Sequence, residues 1–166
     1  VTRFNLVQRE VHRQVVDLVR RMRQKITRGV DHESLVADMR ALWEDDFEPT
    51  CDEIAGQLPE PGGPPVKPDW DAIVSVLPDV ISDIDVRMIN GTAKDALDYA
   101  EQRDKGLKVI AIGGDKLARG LTLEGLCVSY FVRTSKMYDT LMQMGRWFGY
   151  RPGYIDLCRL YTTSDL

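Results

Sequence analysis

Lys108-Val109-Ile110-Ala111-Ile112-Gly113-Gly114 is an almost unbroken apolar run closed by a glycine pair. An alternating pattern would mark a strand with one wet face, whereas a continuous run marks a strand covered on both faces, as in parallel sheets. The glycines end it, since they release the backbone into a turn. On either side, Val86-Arg87-Met88-Ile89-Asn90, Cys127-Val128-Ser129-Tyr130-Phe131-Val132 and Asp156-Leu157-Cys158-Arg159-Leu160-Tyr161-Thr162 read as further strands. Residues 93–103 and 138–150 read as helices between them, and a short helix starts at Asp69. Strands alternating with helices predict parallel β-α-β units with right-handed crossovers, an α/β fold with helices on both sides of a parallel sheet.

The first third of the chain reads differently. From Asn5 to about Arg28, Val7, Val11, Val15, Leu18, Met22 and Ile26 recur at helical spacing. The opposite face carries Arg9, Arg13, Arg20, Arg21, Arg23, Lys25 and Arg28, either as a solvated surface or as a face for a DNA backbone or a partner. Gly29 ends this helix, and Asp31 is placed to cap the next. Leu35, Val36, Met39, Leu42 and Trp43 form that helix's apolar face, which the sequence predicts Pro49 to stop. Thr50-x-x-Glu53 then resembles a capping box. Asp52-Glu53-Ile54-Ala55 looks like an ATPase acidic box, but no apolar strand precedes it to carry the carboxylates to a nucleotide. The stretch from Pro59 to Pro68 holds five prolines and two glycines, so it is a surface loop or linker.

Composition narrows the function classes. The chain has 166 residues, 43% hydrophobic and 29% charged, a globular mixture sized for one domain. No apolar run reaches the roughly 18 residues that span a bilayer, and no signal-peptide pattern opens the chain. Cys51, Cys127 and Cys158 are too widely spaced to suggest a zinc site or a disulfide framework, which points to a cytoplasmic protein. A net charge of -4 excludes coating of nucleic acid by bulk charge, though a local basic surface remains open. The start on Val1-Thr2-Arg3-Phe4, without a methionine, reads as a piece cut from a longer protein.

In open parallel sheets ligands bind at the carboxyl ends of strands. Two segments following strands concentrate arginine, which clamps phosphate oxygens, with glycine, which lets a backbone approach them. One is Gly113-Gly114-Asp115-Lys116-Leu117-Ala118-Arg119-Gly120-Leu121-Thr122. The other is Gln143-Met144-Gly145-Arg146-Trp147-Phe148-Gly149-Tyr150-Arg151. Separately, each has a plain reading as a turn or a surface ion pair. Together they are far more specific.

The pair resembles motifs V and VI in the second RecA-like lobe of superfamily 2 helicases and DNA translocases. Across most of its length the chain also resembles the Z1 domain proteins of bacterial restriction and defence systems. The residues that carry this are Val1-Thr2-Arg3-Phe4-Asn5 with Gln8, Ala41-Leu42-Trp43-Glu44, and two long blocks over residues 112–125 and 138–151. The resemblance implies a RecA-like, P-loop NTPase-type sheet over residues 1–166, the C-terminal lobe of a helicase-like protein, with residues 5–68 as a helical insertion and linker. It implies ATP with Mg²⁺ as the nucleotide, held mainly by an N-terminal lobe, since Gly-Lys-[Ser/Thr] occurs nowhere in this sequence.

By position, Arg146 corresponds to the first motif VI arginine, and Arg151 is the nearest substitute for the second, whose place Gly149 takes. Gly114, Asp115, Arg119, Gly120, Gln143 and Gly145 fall on the nucleotide side of the same motifs. Thr2, Arg3 and Thr122 fall where the family contacts DNA, with Thr122 standing where an Asp is usual. Partners implied are the first lobe, DNA and restriction-system subunits, and no membrane. The alternative is a degenerate lobe kept as a docking module. Trp147, Phe148 and Tyr150 could stack bases or pack the motif helix onto the sheet. Some Z1 proteins carry an endonuclease label, yet no lysine here has an Asp or Glu two residues before it, and no metal ligands cluster. His12 and His32 read as surface or helix-start residues.

Overall fold

A computed structural model describes residues 5–57, 67–89, 106–114, 125–131 and 153–162. The chain packs as two compact units, Val1–Val30 with Ser75–Leu121, and Asp31–Val74 with Thr122–Leu166. Residues 59–66 of the Pro/Gly-rich stretch and the helices expected over 93–103 and 138–150 lie outside the described residues.

In the first unit, helix α1 (Asn5–Arg28) packs on a parallel pair of strands, β1 (Asp85–Ile89) and β2 (Val109–Gly113). Their register runs from Asp85↔Val109 to Ile89↔Gly113, so the two strands point the same way and end together. Val19, Ile81 and Ile89 form its buried core. The inward face of α1 differs from the expected stripe. Val15, Met22 and Ile26 are half-buried as the spacing predicts, but Val7, Val11 and Leu18 are exposed, while Gln8 is buried and His12 and Arg23 are half-buried.

The reason lies in backbone groups that need partners. His12 Nε2 sits 3.3 Å from the Val86 carbonyl oxygen, so this histidine is no ordinary surface residue. Arg23, expected on the solvated basic face, donates from Nε to Ile81 O at 3.1 Å and from Nη2 to Ile84 O at 2.8 Å. Those carbonyls lie at the end of helix α4 (Trp70–Asp83), where intrahelical donors run out. The α4 helix is 14 residues long rather than short. It starts where Asp69 accepts the Ala72 N–H at 2.7 Å.

In the second unit, α2 (Glu33–Leu42), a π-helical turn (Trp43–Phe47) and α3 (Glu48–Gln57) follow one another without a break. Three expectations change here. Asp31 is not the cap: it takes φ +48, two residues after Gly29 at φ +62, and His32 holds the N-cap position without a side-chain bond. Pro49 does not stop the helix. In a regular α-helix its ring would meet the carbonyl of residue 45, and the widened turn just before it, closed by the Glu48 N–H on Trp43 O, relieves that clash. Thr50 is not a capping-box residue: it lies inside α3 and its hydroxyl donates to Asp46 O at 2.7 Å.

The second parallel pair is β3 (Val128–Phe131) with β4 (Arg159–Thr162), registered from Val128↔Arg159 to Phe131↔Thr162. The last strand begins at Arg159 rather than Asp156, because Ile155–Leu157 forms a 3₁₀ turn first. Ser129 is buried while Val128 and Tyr130 are exposed, so β3 alternates, and Leu160, Tyr161 and Thr162 of β4 are all exposed, where both faces were expected to be covered.

Candidate functional site

The rim that the sequence singles out starts at the carboxyl ends of β1 and β2. Ile89 is the most buried large side chain described, and the register sets it against Gly113. Gly113 and Gly114 are both buried, and the chain bends at Gly114 as it leaves the sheet. A backbone carrying no side chain at such an edge can be approached closely by a ligand.

Of the residues expected to bind nucleotide or DNA, Gly114 is described and stands where the sequence places it. Asp115, Arg119, Gly120, Thr122, Gln143, Gly145, Arg146, Arg151, Thr2 and Arg3 lie outside the described residues. Apart from Thr2 and Arg3, these residues belong to two blocks of sequence that each follow a described strand. Residues 115–124 follow β2, and residues 132–152 follow the carboxyl end of β3.

The opposite, amino end of β3 and β4 holds a polar network that sequence reasoning missed. Asp156 is buried in the 3₁₀ turn, and its Oδ2 accepts a hydrogen bond from the Cys51 thiol of α3 at 3.0 Å. Its Oδ1 has no hydrogen-bond partner among the described residues. Burial, then that bond and the Asp156 charge, push the Cys51 thiol up to about 11. Burial likewise raises Cys127 and Cys158, with Asp156 adding to both.

Next to this, Arg159 bonds Asp46 through Nε at 2.9 Å and lies 4.4 Å from the centre of the Phe47 ring. Trp43 stacks on that ring with centroids 6.5 Å apart. The signal in the sequence was the charged pair Asp156 and Arg159 inside a largely apolar strand-like run. Its position at the amino end of the strands, away from where ligands bind, makes it a structural clasp.

All three cysteines are free. Among the described residues no group of three or more His, Cys, Asp or Glu is placed to hold a metal ion. Among them, too, no helix is long and apolar enough to cross a membrane. Compared with known families, residues 1–166 match the model of the Z1 domain. No curated protein and no solved structure matches the chain.

Proposed function

The chain belongs to the Z1 domain family, and on that premise we propose that it is the second motor lobe of an ATP-dependent, DNA-acting, helicase-like protein of a restriction or defence system. One observation carries this reading. The buried Gly113–Gly114 pair sits at the carboxyl end of a parallel strand, and the block with Asp115, Arg119 and Gly120 follows it directly. A RecA-like lobe uses that edge for phosphate and DNA contacts, and each of the two strand pairs described here is parallel, the pairing such a lobe uses.

In this reading ATP and Mg²⁺ are held by a separate lobe that brings the phosphate loop. Arg146 supplies positive charge to the transferring γ-phosphoryl group, which spreads charge over its oxygens in the transition state. Gln143 and Gly145 shape that end of the block, and Arg151 lies two residues beyond the position a second arginine would take. Thr2, Arg3 and Thr122 serve the DNA backbone.

The test is DNA-stimulated ATP hydrolysis by the whole protein. Arg146→Ala lowers turnover on the order of a thousandfold while circular dichroism stays unchanged. Full turnover in that variant rules out the arginine's role.

A second reading, a lobe that docks DNA or protein without touching ATP, is favoured by Gly149 and Thr122, which depart from the family pattern. It predicts that ATP turnover is the same whether or not this lobe is added to the first.

A further inference from the structure

Charge is divided unequally between the two units. The first carries fifteen Lys and Arg against ten Asp and Glu, a net +5; the second carries seven against sixteen, a net -9. All of the first unit's excess is on α1, which has seven basic and two acidic residues. Those two acids are already engaged. Glu10 holds Arg13 at 2.6 Å, and the Arg13 and Gln14 hydrogen bonds bring its carboxyl down to about 2. Asp17 holds Arg20 at 3.0 Å and reaches Arg13 at 3.7 Å. Arg23 is taken up by the α4 carbonyls.

Besides Arg9, near the start of α1, the residues Arg21, Lys25 and Arg28 are left without an ion pair or hydrogen bond among the described residues. Their spacing of four and three puts them in one line along α1, covering about 10 Å at a rise of about 1.5 Å per residue. Arg21 and Arg28 are exposed and Lys25 half-exposed. Like charges at this spacing repel one another and weaken a helix. The helix dipole compensates for Lys25 and Arg28 in the last turn, but not for Arg21.

We propose that the Arg21–Lys25–Arg28 line on α1 is a docking surface for the phosphate backbone of duplex DNA, separate from the sheet edge. A strand of duplex DNA presents a charge about every 3.4 Å along its axis, so the line faces several phosphates at once. Charge complementarity selects this occupant: the line offers three cations that are unpaired among the described residues, and no carboxylate, to a partner. The proposal rests on the reading of the protein as DNA-acting, but it requires nothing of ATP.

The test uses the whole protein and a fluorescein-labelled 20-base-pair duplex of arbitrary sequence, followed by anisotropy across a salt series. Substituting Arg21→Gln, Lys25→Gln and Arg28→Gln together keeps good helix formers in place. The expected result is at least a tenfold loss of affinity at low salt, with the slope of log affinity against log salt shallower by about 2 to 3. Arg21→Lys with Arg28→Lys retains the binding, because the contacts are to charge. Unchanged affinity and slope in the folded triple variant overturn the proposal, as does a wild-type protein that does not bind the duplex.

Salt-sensitive self-association that the triple variant loses, with DNA affinity intact, also overturns it. That result would assign the line to the acidic unit of a second copy. A whole protein that shows no DNA-stimulated ATP turnover would defeat the motor reading, while leaving the binding result to stand or fall alone.

Discussion

Arg159 and Asp46, 113 residues apart in sequence, are joined through Nε and Oδ1 at 2.9 Å, with Arg159 Nη2 also on the Asp46 carbonyl oxygen at 3.2 Å. The same guanidinium donates to the carbonyls of Asp156 and Cys158 and covers the Phe47 ring. One side chain therefore fastens the π-helical turn to the start of β4, and only arginine has enough donors in a fixed fork to do so.

Truncating it tests how much this clasp holds. Arg159→Ala removes a partly buried ion pair, several backbone contacts and a cation–π contact, a loss of about 2–3 kcal/mol. Arg159→Lys keeps the charge but not the fork, at roughly half that cost. Urea unfolding of both variants measures this, and a loss below about 0.5 kcal/mol for Arg159→Ala would show that the clasp holds little.

The bond between Cys51 and Asp156 gives a second prediction. Cys51→Ala leaves a buried carboxylate oxygen without its donor and costs about 1–3 kcal/mol, whereas Cys51→Ser keeps a donor and costs less. If the two variants are equally stable, the hydrogen bond contributes nothing beyond packing.

The same thiol sets a pH dependence. Its value in the folded protein, about 11, lies above its ordinary 9.0, so the folded state holds this proton more tightly than the unfolded chain does. The stabilisation is fully present below about pH 9 and fades as pH rises towards about 11. The stability gap between wild type and Cys51→Ala should therefore narrow across that window. A gap that stays constant from pH 8 to 11 would contradict it.

What could be read in the sequence, and what could not, follows from the range of the forces involved. β2 was legible because its apolar run and closing glycines are local, and α1 was legible to its last residue for the same reason. The inward face of α1 was not. His12 reaches a carbonyl 74 residues away and Arg23 reaches carbonyls 58 and 61 residues away, and periodicity carries no record of such partners. The π-helical turn was hidden as well, since Pro49 signals a break and the widened turn absorbs it. Gly114 stands at the strand end where its sequence context put it. The Asp156 network joins residues 105 and 113 positions apart, so it becomes visible only once the chain has folded.

Gly29 offers a test confined to the backbone. It takes φ +62 at the end of α1, and a Cβ added there would meet nothing within 4 Å. The cost of Gly29→Ala is then conformational alone, about 1 kcal/mol, with Gly29→Asn cheaper because Asn tolerates the left-handed region. Equal stabilities for Ala and Asn would mean that the turn relaxes out of this conformation.

Arg23 provides the sharpest contrast with the reading of α1 as a simple basic face. Its two donors satisfy the Ile81 and Ile84 carbonyls where α4 hands over to β1. Arg23→Ala leaves both carbonyls short of a donor in a half-buried setting and costs about 1–3 kcal/mol. Arg21→Ala, two residues earlier and exposed, leaves stability within about 0.5 kcal/mol of wild type. The effects on DNA run the other way: Arg21→Ala weakens binding and flattens its salt dependence, whereas a folded Arg23→Ala leaves both as they were. Thermal unfolding and anisotropy on the same two proteins separate the roles. An Arg23→Ala protein as stable as wild type, yet weaker on DNA, would return this arginine to the solvated face.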